Sequence, residues 1–274
     1  SALARARSSL AYGLLYEDKW EQARVHLRQA LAIHAEIAAE KPADLKARRD
    51  LCLMHYRIGS SYVQSGQPGH AQDELGEALE CQMRLAEADP ENSQYKSDLA
   101  SSHHFSGVAL GSVSRSAEAI RHFDQAIALR RTALEADPRD SATRSLLAGN
   151  LYEKAGVQFQ SGERRGALAS AREALEMQQQ VLVGDPRGTP SRISMAQFLA
   201  RAGSISLALA EAGEGTRYLA DAIESCRAAV GFYYELGGEG HLRSPSLRAE
   251  SDRARDTLGR AEAALLRGKV SPKP

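Results

Sequence analysis

Ala88-Asp-Pro-Glu-Asn92 is the stretch on which the fold turns. Pro90 lacks a backbone donor and clashes with the turn behind it, so a helix must end before it. Asn92 suits the N-cap of the next helix. The same punctuation recurs at Pro42, Pro138 and Pro186, each 48 residues from its neighbour, and Asp44 and Asp140 share the column of Asn92. Working outward, the step of 48 also joins Leu3, Leu51, Leu99, Leu147 and Met195. It joins Ala30, Ala78, Ala126, Ala174 and Ala222, and Ala23, Ala71, Ala119 and Ala167, where the fifth copy has Gly215. Columns that hold register without a gap over most of the chain identify one structural unit repeated five times.

Within a block the apolar spacing is helical. Leu51, Met54, Ile58 and Tyr62 step by three or four, as do Ala71, Leu75 and then Ala78 or Leu79. The spacing predicts two amphipathic helices of about 20 residues per block. They are separated by Gln64-Ser-Gly-Gln-Pro-Gly69, where Gly66 ends the first helix in a left-handed conformation; Gly162 repeats it two blocks later. One such hairpin cannot bury its apolar face, but stacked copies can. The expected domain plan is a five-hairpin solenoid over residues 1–236, a loop over 237–245, a capping helix over 246–267 and a disordered tail over 268–274. The first block begins past the column of Asp44, which reads as a fragment cut from a longer chain or else as a shorter first helix with the initiator Met removed.

The composition fits this plan. Of the 274 residues, 43% are apolar and only 5% aromatic, with 35 basic residues against 35 acidic. A generic nucleic-acid binder carries a clear basic excess, so no nucleic-acid partner is expected. Residues 243–274 hold eight Lys/Arg against four Asp/Glu, which reads as a solvated capping face. No apolar run approaches a membrane span, and no signal peptide opens the chain. Cys52, Cys81 and Cys226 are odd in number without a C-x-x-C pair, so no disulfide framework is expected. Cys52 and Cys81 read as small core hydrophobes, and a reducing, cytoplasmic setting is expected. Phosphate-loop, dinucleotide, metalloprotease, nucleophile-elbow and kinase motifs are absent, so the expectation is a non-enzyme without cofactor or metal. His55 and His103 share a column, as do His26 and His122, which repetition of a parent unit explains.

The block resembles the tetratricopeptide repeat. That family places a small residue after a hydrophobic one on its first helix and a small, bulky, small pattern on its second. Here Ile58-Gly59, Tyr62, Ala71, Leu75, Ala78 follow it, as do Ser106-Gly107, Leu110, Ala119, Phe123, Ala126. Leu10-Ala11, Leu14, Ala23, Leu27, Ala30 follow it in the first block. The repeat is longer than the usual unit, and is similar to the long-helix repeats of kinesin-light-chain type. It is more similar to arrays on bacterial serine/threonine kinases and other signalling proteins, through Ala88-Asp-Pro-Glu-Asn92, Asp98-Leu-Ala-Ser-Ser-His103 and Gly107. The resemblance implies an all-α, right-handed α-α superhelix of five hairpins plus a C-terminal capping helix. It also implies a docking or sensing role toward a protein or peptide partner, with a receptor for a small ligand or signalling peptide as the alternative.

In such a stack the first helices line the concave wall. The resemblance places Tyr12, Leu15, Tyr16, Tyr56, Ser60, Val63, Gln64, His104, Val108, Ser112, Tyr152, Phe159, Gln160, Gln197 and Ser204 there. Tyr56, His104 and Tyr152 occupy one column, three positions before Gly59, Gly107 and Ala155, and are expected to form a ladder along the groove. Ser60, Val108 and Gly156 stand where clamp-type repeats prefer Asn, so C-terminal EEVD-type peptides are not expected ligands.

Overall fold

The computed structural model describes residues 2–242 and 244–270. Among them are eleven α-helices and no strand. The chain divides into two compact units, residues 1–136 and 137–274. The first holds α1 (Ala2–Tyr16), α2 (Trp20–Glu40), α3 (Leu45–Gln64), α4 (Gln72–Ala88), α5 (Ser93–Ser112) and α6 (Ser116–Ala136), with a 3-10 turn at Pro68–His70 before α4. The second holds α7 (Ser141–Gln160), α8 (Arg164–Gly184), α9 (Thr189–Glu211), α10 (Arg217–Gly238) and α11 (Pro245–Val270). Each unit is a stack of antiparallel hairpins in which every helix packs on its sequence neighbours.

The punctuation works as read. The side chain of Asp44 accepts from the amides of Lys46 and Ala47, Asn92 from those of Gln94 and Tyr95, and Asp140 from that of Thr143. Each satisfies a donor that the helix start leaves open. Gly66 and Gly162 take φ +73 and +88, the left-handed turn that closes a first helix. α10 runs to Gly238 and α11 starts at Pro245, so the connection is shorter than the expected 237–245. α11 also continues through 268–270; the rest of the expected tail, 271–274, lies outside the described residues.

The alanine columns are the seams of the hairpins. Ala30, Ala78, Ala126, Ala174 and Ala222 are fully buried, as are Ala23, Ala71, Ala119 and Ala167. The small residue late in each first helix faces the partner helix of its own hairpin. A Cβ on Gly59 would stand 2.7 Å from Leu75 Cγ, and one on Gly107 would meet the Phe123 ring at 2.9 Å. A Cβ on Gly203 would stand 2.3 Å from Cys226 Sγ. In α7 and α8 both columns hold alanine, Ala155 and Ala171, which share one core cluster.

Successive hairpins are tied by side chains one position beyond the repeat. Arg49 pairs with Asp98, Arg165 with Glu214, Arg172 with Asp221 and Arg260 with Glu211, each 49 residues apart. These pairs are mostly solvent-accessible, so they set register more than they add stability. Arg24 is different: it is buried and donates to Ser61 O, Ser61 Oγ and Ser65 Oγ, while its guanidinium covers the Tyr62 ring.

The cysteines depart from expectation. Cys52 on α3 and Cys81 on α4 face each other across one hairpin, with Cα atoms 5.6 Å apart, and form a disulfide. Residue-by-residue reading treats each as a separate hydrophobe because their pairing depends on the hairpin geometry. Cys226 is a buried free thiol, pushed up to about 11 by burial. Among the described residues α9 is long and apolar enough to cross a membrane, but half of that window is buried, as in a core helix.

Candidate functional site

The candidate site is built from the first helices of the second unit. Tyr152, Gly156, Phe159 and Gln160 on α7 face Gln197, Ala200, Arg201 and Ser204 on α9. Tyr233 of α10 and Glu250, Arg253, Thr257 and Arg260 of α11 complete the wall around a cavity of about 430 Å³. The repeat dictates the first two walls, since α7 and α9 present equivalent columns. α11 supplies the third because it packs against both α9 and α10.

Tyr152 is locked in place. Its ring stacks on Phe198 at 4.5 Å and 16°, while the Arg201 guanidinium lies 3.5 Å from its centroid. Phe198 and Arg201 are one helical turn apart on α9, so they cover the two ring faces. Arg201 Nη1 also donates to Tyr152 O at 2.7 Å and stands 3.9 Å from Glu153. That position needs Gly156, because a Cβ there would come within 2.6 Å of Arg201 Nη1. Burial raises the Tyr152 hydroxyl and the Glu153 carboxyl above their ordinary values, with Arg201 opposing it in both.

The other polar groups are mostly engaged. Glu250 accepts from Gln197 Nε2 at 2.9 Å and from the Tyr233 hydroxyl at 3.3 Å. Arg260 pairs with Glu211 and approaches Asp256 at 4.0 Å. Ser204 donates to Ala200 O. Phe159 packs on the core cluster of Ala155, Ala202 and Ile205 and forms part of the floor, and Gln160 is exposed at the rim.

In the first unit the expected wall residues sit differently. Tyr56 meets Phe105 edge-on at 5.7 Å, and His104 meets the same ring at 5.0 Å. Phe105 therefore contacts both of these ladder residues. His104 also approaches Phe123, on the second helix of its own hairpin. Burial pushes Tyr56 up to about 12. Tyr12 is covered by the Arg57 guanidinium at 4.3 Å from its centroid. Ser60 is buried with its hydroxyl on Arg57 O, Gln64 donates to Ser60 O, and Val108 is half-buried. Tyr16 is 90% exposed at the end of α1.

These contacts share a rule. The residue one position after the ladder column reaches back to an aromatic ring of the preceding first helix: Arg57 to Tyr12, Phe105 to Tyr56, Arg201 to Tyr152. Sequence reasoning named the rings and missed these covers, although Arg57 and Arg201 stand in one column. Glu250, Arg253, Thr257 and Arg260 were out of reach, because α11 does not continue the 48-residue register.

The histidines of one column pair with their own hairpin partners. His55 Nδ1 lies 2.8 Å from Glu74 Oε2, and His103 Nδ1 lies 3.0 Å from His122 Nδ1. Burial, then the neighbouring ring, lowers His103 to about 4, and burial also lowers His122. No group of three or more His, Cys, Asp or Glu side chains among the described residues is arranged to hold a metal.

No protein-family model matches the chain, and no curated protein matches it significantly. Solved structures do. The apo form of RapI aligns over 94% of this chain and 85% of its own, at 15% identity and a TM-score of 0.52. A STAND protein (signal transduction ATPase with numerous domains) from Pyrococcus horikoshii, with a tetratricopeptide repeat sensor, aligns over 95% of this chain and 41% of its own. Its identity is 14% and its TM-score 0.50. The chain thus has the tetratricopeptide-type repeat fold, all-α and built of stacked hairpins.

Proposed function

We propose that this chain is a protein-interaction scaffold, the docking or sensing region of a larger bacterial signalling protein such as a serine/threonine kinase. It binds a peptide or partner helix on the first-helix face of the second unit. The observation that carries this reading is the cavity between α7, α9 and α11, lined by the apolar Phe159 and by the polar Gln160, Gln197, Ser204 and Thr257. That mixture of fixed apolar surface and a few oriented polar groups is what recognition sites use. The role read here is binding: most titratable groups around the cavity are tied into ion pairs, hydrogen bonds and stacks.

A second reading has one observation in its favour. A volume of about 430 Å³ lies within the range of small-molecule sites, which fits a receptor for a small ligand or short signalling peptide. Photo-crosslinking separates the two. A photoreactive side chain at Gln160 should capture a protein in extract, and the same group at Arg172 on α8 should not. The captured segment, made as a peptide, should bind the chain and fail to bind the Ser204→Trp variant, whose indole would fill the cavity. Capture from Arg172 alone would refute the groove reading.

A further inference from the structure

We infer that the groove selects peptides carrying an acidic side chain, received by Arg253 on α11 beside the fixed guanidinium of Arg201 on α9; this rests on the groove reading above. The cavity wall carries five charged side chains. Three arginines and two carboxylates line it: Arg201, Arg253, Arg260, Glu250 and Asp256. Both carboxylates have partners. Glu250 accepts two hydrogen bonds, from Gln197 and Tyr233. Asp256 faces Arg260, which is held mainly by Glu211.

The arginines are not equivalent. Arg201 is pinned by the Tyr152 ring and carbonyl, so it offers its remaining N–H groups in a fixed orientation without further loss of rotamer freedom. The Arg253 guanidinium makes no hydrogen bond or ion pair among the described residues, although it lines the same cavity. Its backbone carbonyl accepts from Thr257 Oγ1, which belongs to the same wall. A guanidinium left over after every internal acid is engaged is the complement of an incoming carboxylate, and such charge-assisted pairs are the strong class of hydrogen bond. The Phe159 ring in the lining of the same cavity favours a ligand that carries an apolar side chain as well as an acid.

Selection of displayed random 12-residue peptides on the full chain tests this. Enriched peptides should be rich in Asp and Glu, and synthetic copies should bind Arg253→Gln about 10-fold or more weakly than the parent. Arg260→Gln should change binding less than about 2-fold, because that guanidinium already has Glu211. Replacing the peptide's acid by its amide should cost as much as Arg253→Gln, and the two losses should not add. Circular dichroism confirms that the variants fold. Enriched peptides without acidic bias, or unchanged affinity in Arg253→Gln, would overturn the inference while leaving the groove intact. Peptides that still bind Ser204→Trp, or no enrichment at all, would overturn the groove reading itself and this inference with it.

Discussion

The two units are built on one repeat and use it differently. In the first, the second-helix position opposite the small residue is bulky: Leu75 fills against Gly59 and Phe123 against Gly107. In the second, the α7–α8 hairpin sets Ala155 with Ala171, although Gly203 of α9 again closes on Cys226, and the wall of first helices opens into a cavity closed on its third side by α11. Seven of the eight histidines lie in the first unit, as does the disulfide, whereas the cavity lies wholly in the second. A column can therefore keep its structural duty while its neighbours are released for binding. The first unit is the better place to look for stability effects, and the second for recognition.

The sharpest way to break this contrast is to move one unit's packing solution into the other. Gly107→Val should destabilise the first unit by about 3 kcal/mol or more, because even a Cβ would collide with the Phe123 ring. Gly107→Ala should cost ~1–3 kcal/mol by the same overpacking. In a Phe123→Ala background the Gly107→Ala change should become neutral or stabilising by up to ~1 kcal/mol, since the pair then matches Ala155 and Ala171. Denaturant melts of the four proteins give the coupling. Additive losses would show that the two positions do not share a seam.

Next in size, Ala78→Leu, Ala126→Leu and Ala174→Leu should each cost ~1–3 kcal/mol, because all three side chains are fully buried between helices. This effect should be the same in both units. An unchanged melting temperature in all three would remove the seam from the account.

Acid should separate the units again. His103 falls from 6.5 to about 4 in the fold, and His122 and His34 are also lowered, all mainly by burial. Between those pH values the unfolded chain binds more protons than the folded one, so stability rises with pH. The contribution is fully present above pH 6.5 and is lost as pH falls toward 4. The first unit should lose about 1–2 kcal/mol between pH 7 and 5, a discounted figure for rings that are only partly buried. The second unit should change less. Hydrogen exchange resolved by segment, with His103→Phe as the control, reads this directly; equal losses in the two units would count against it.

The smallest effect should be a gain. Gly149 lies inside α7 with no atom within 4 Å of an added Cβ, so Gly149→Ala should stabilise the second unit by up to ~1 kcal/mol. A loss would mean that the first-helix face there is more crowded than the cavity geometry implies.

The fold was legible because its signals are periodic. Pro90 and its three counterparts mark the turns, Asn92 and its relatives cap the helices, and the alanine columns mark the seams. The site was legible only in outline. Tyr152, Phe159, Gln160, Gln197 and Ser204 were named from the columns and do line one cavity. Arg201 escaped because its role depends on the ring it covers and on the space left by Gly156, which are contacts between blocks and not properties of a column. Arg253 and Glu250 escaped because α11 leaves the register. The Cys52–Cys81 bond escaped because cysteine counting ignores which residues face each other across a hairpin.

The central claim is that docking takes place on the first-helix face of the second unit. Segment-resolved hydrogen exchange of the full chain, with and without a peptide enriched by display, tests it most directly. Exchange should slow around Tyr152–Gln160, Gln197–Ile205 and Glu250–Arg260, with the first helices of the first unit unchanged. Protection confined to α1, α3 and α5, or to the second helices of either unit, would contradict it.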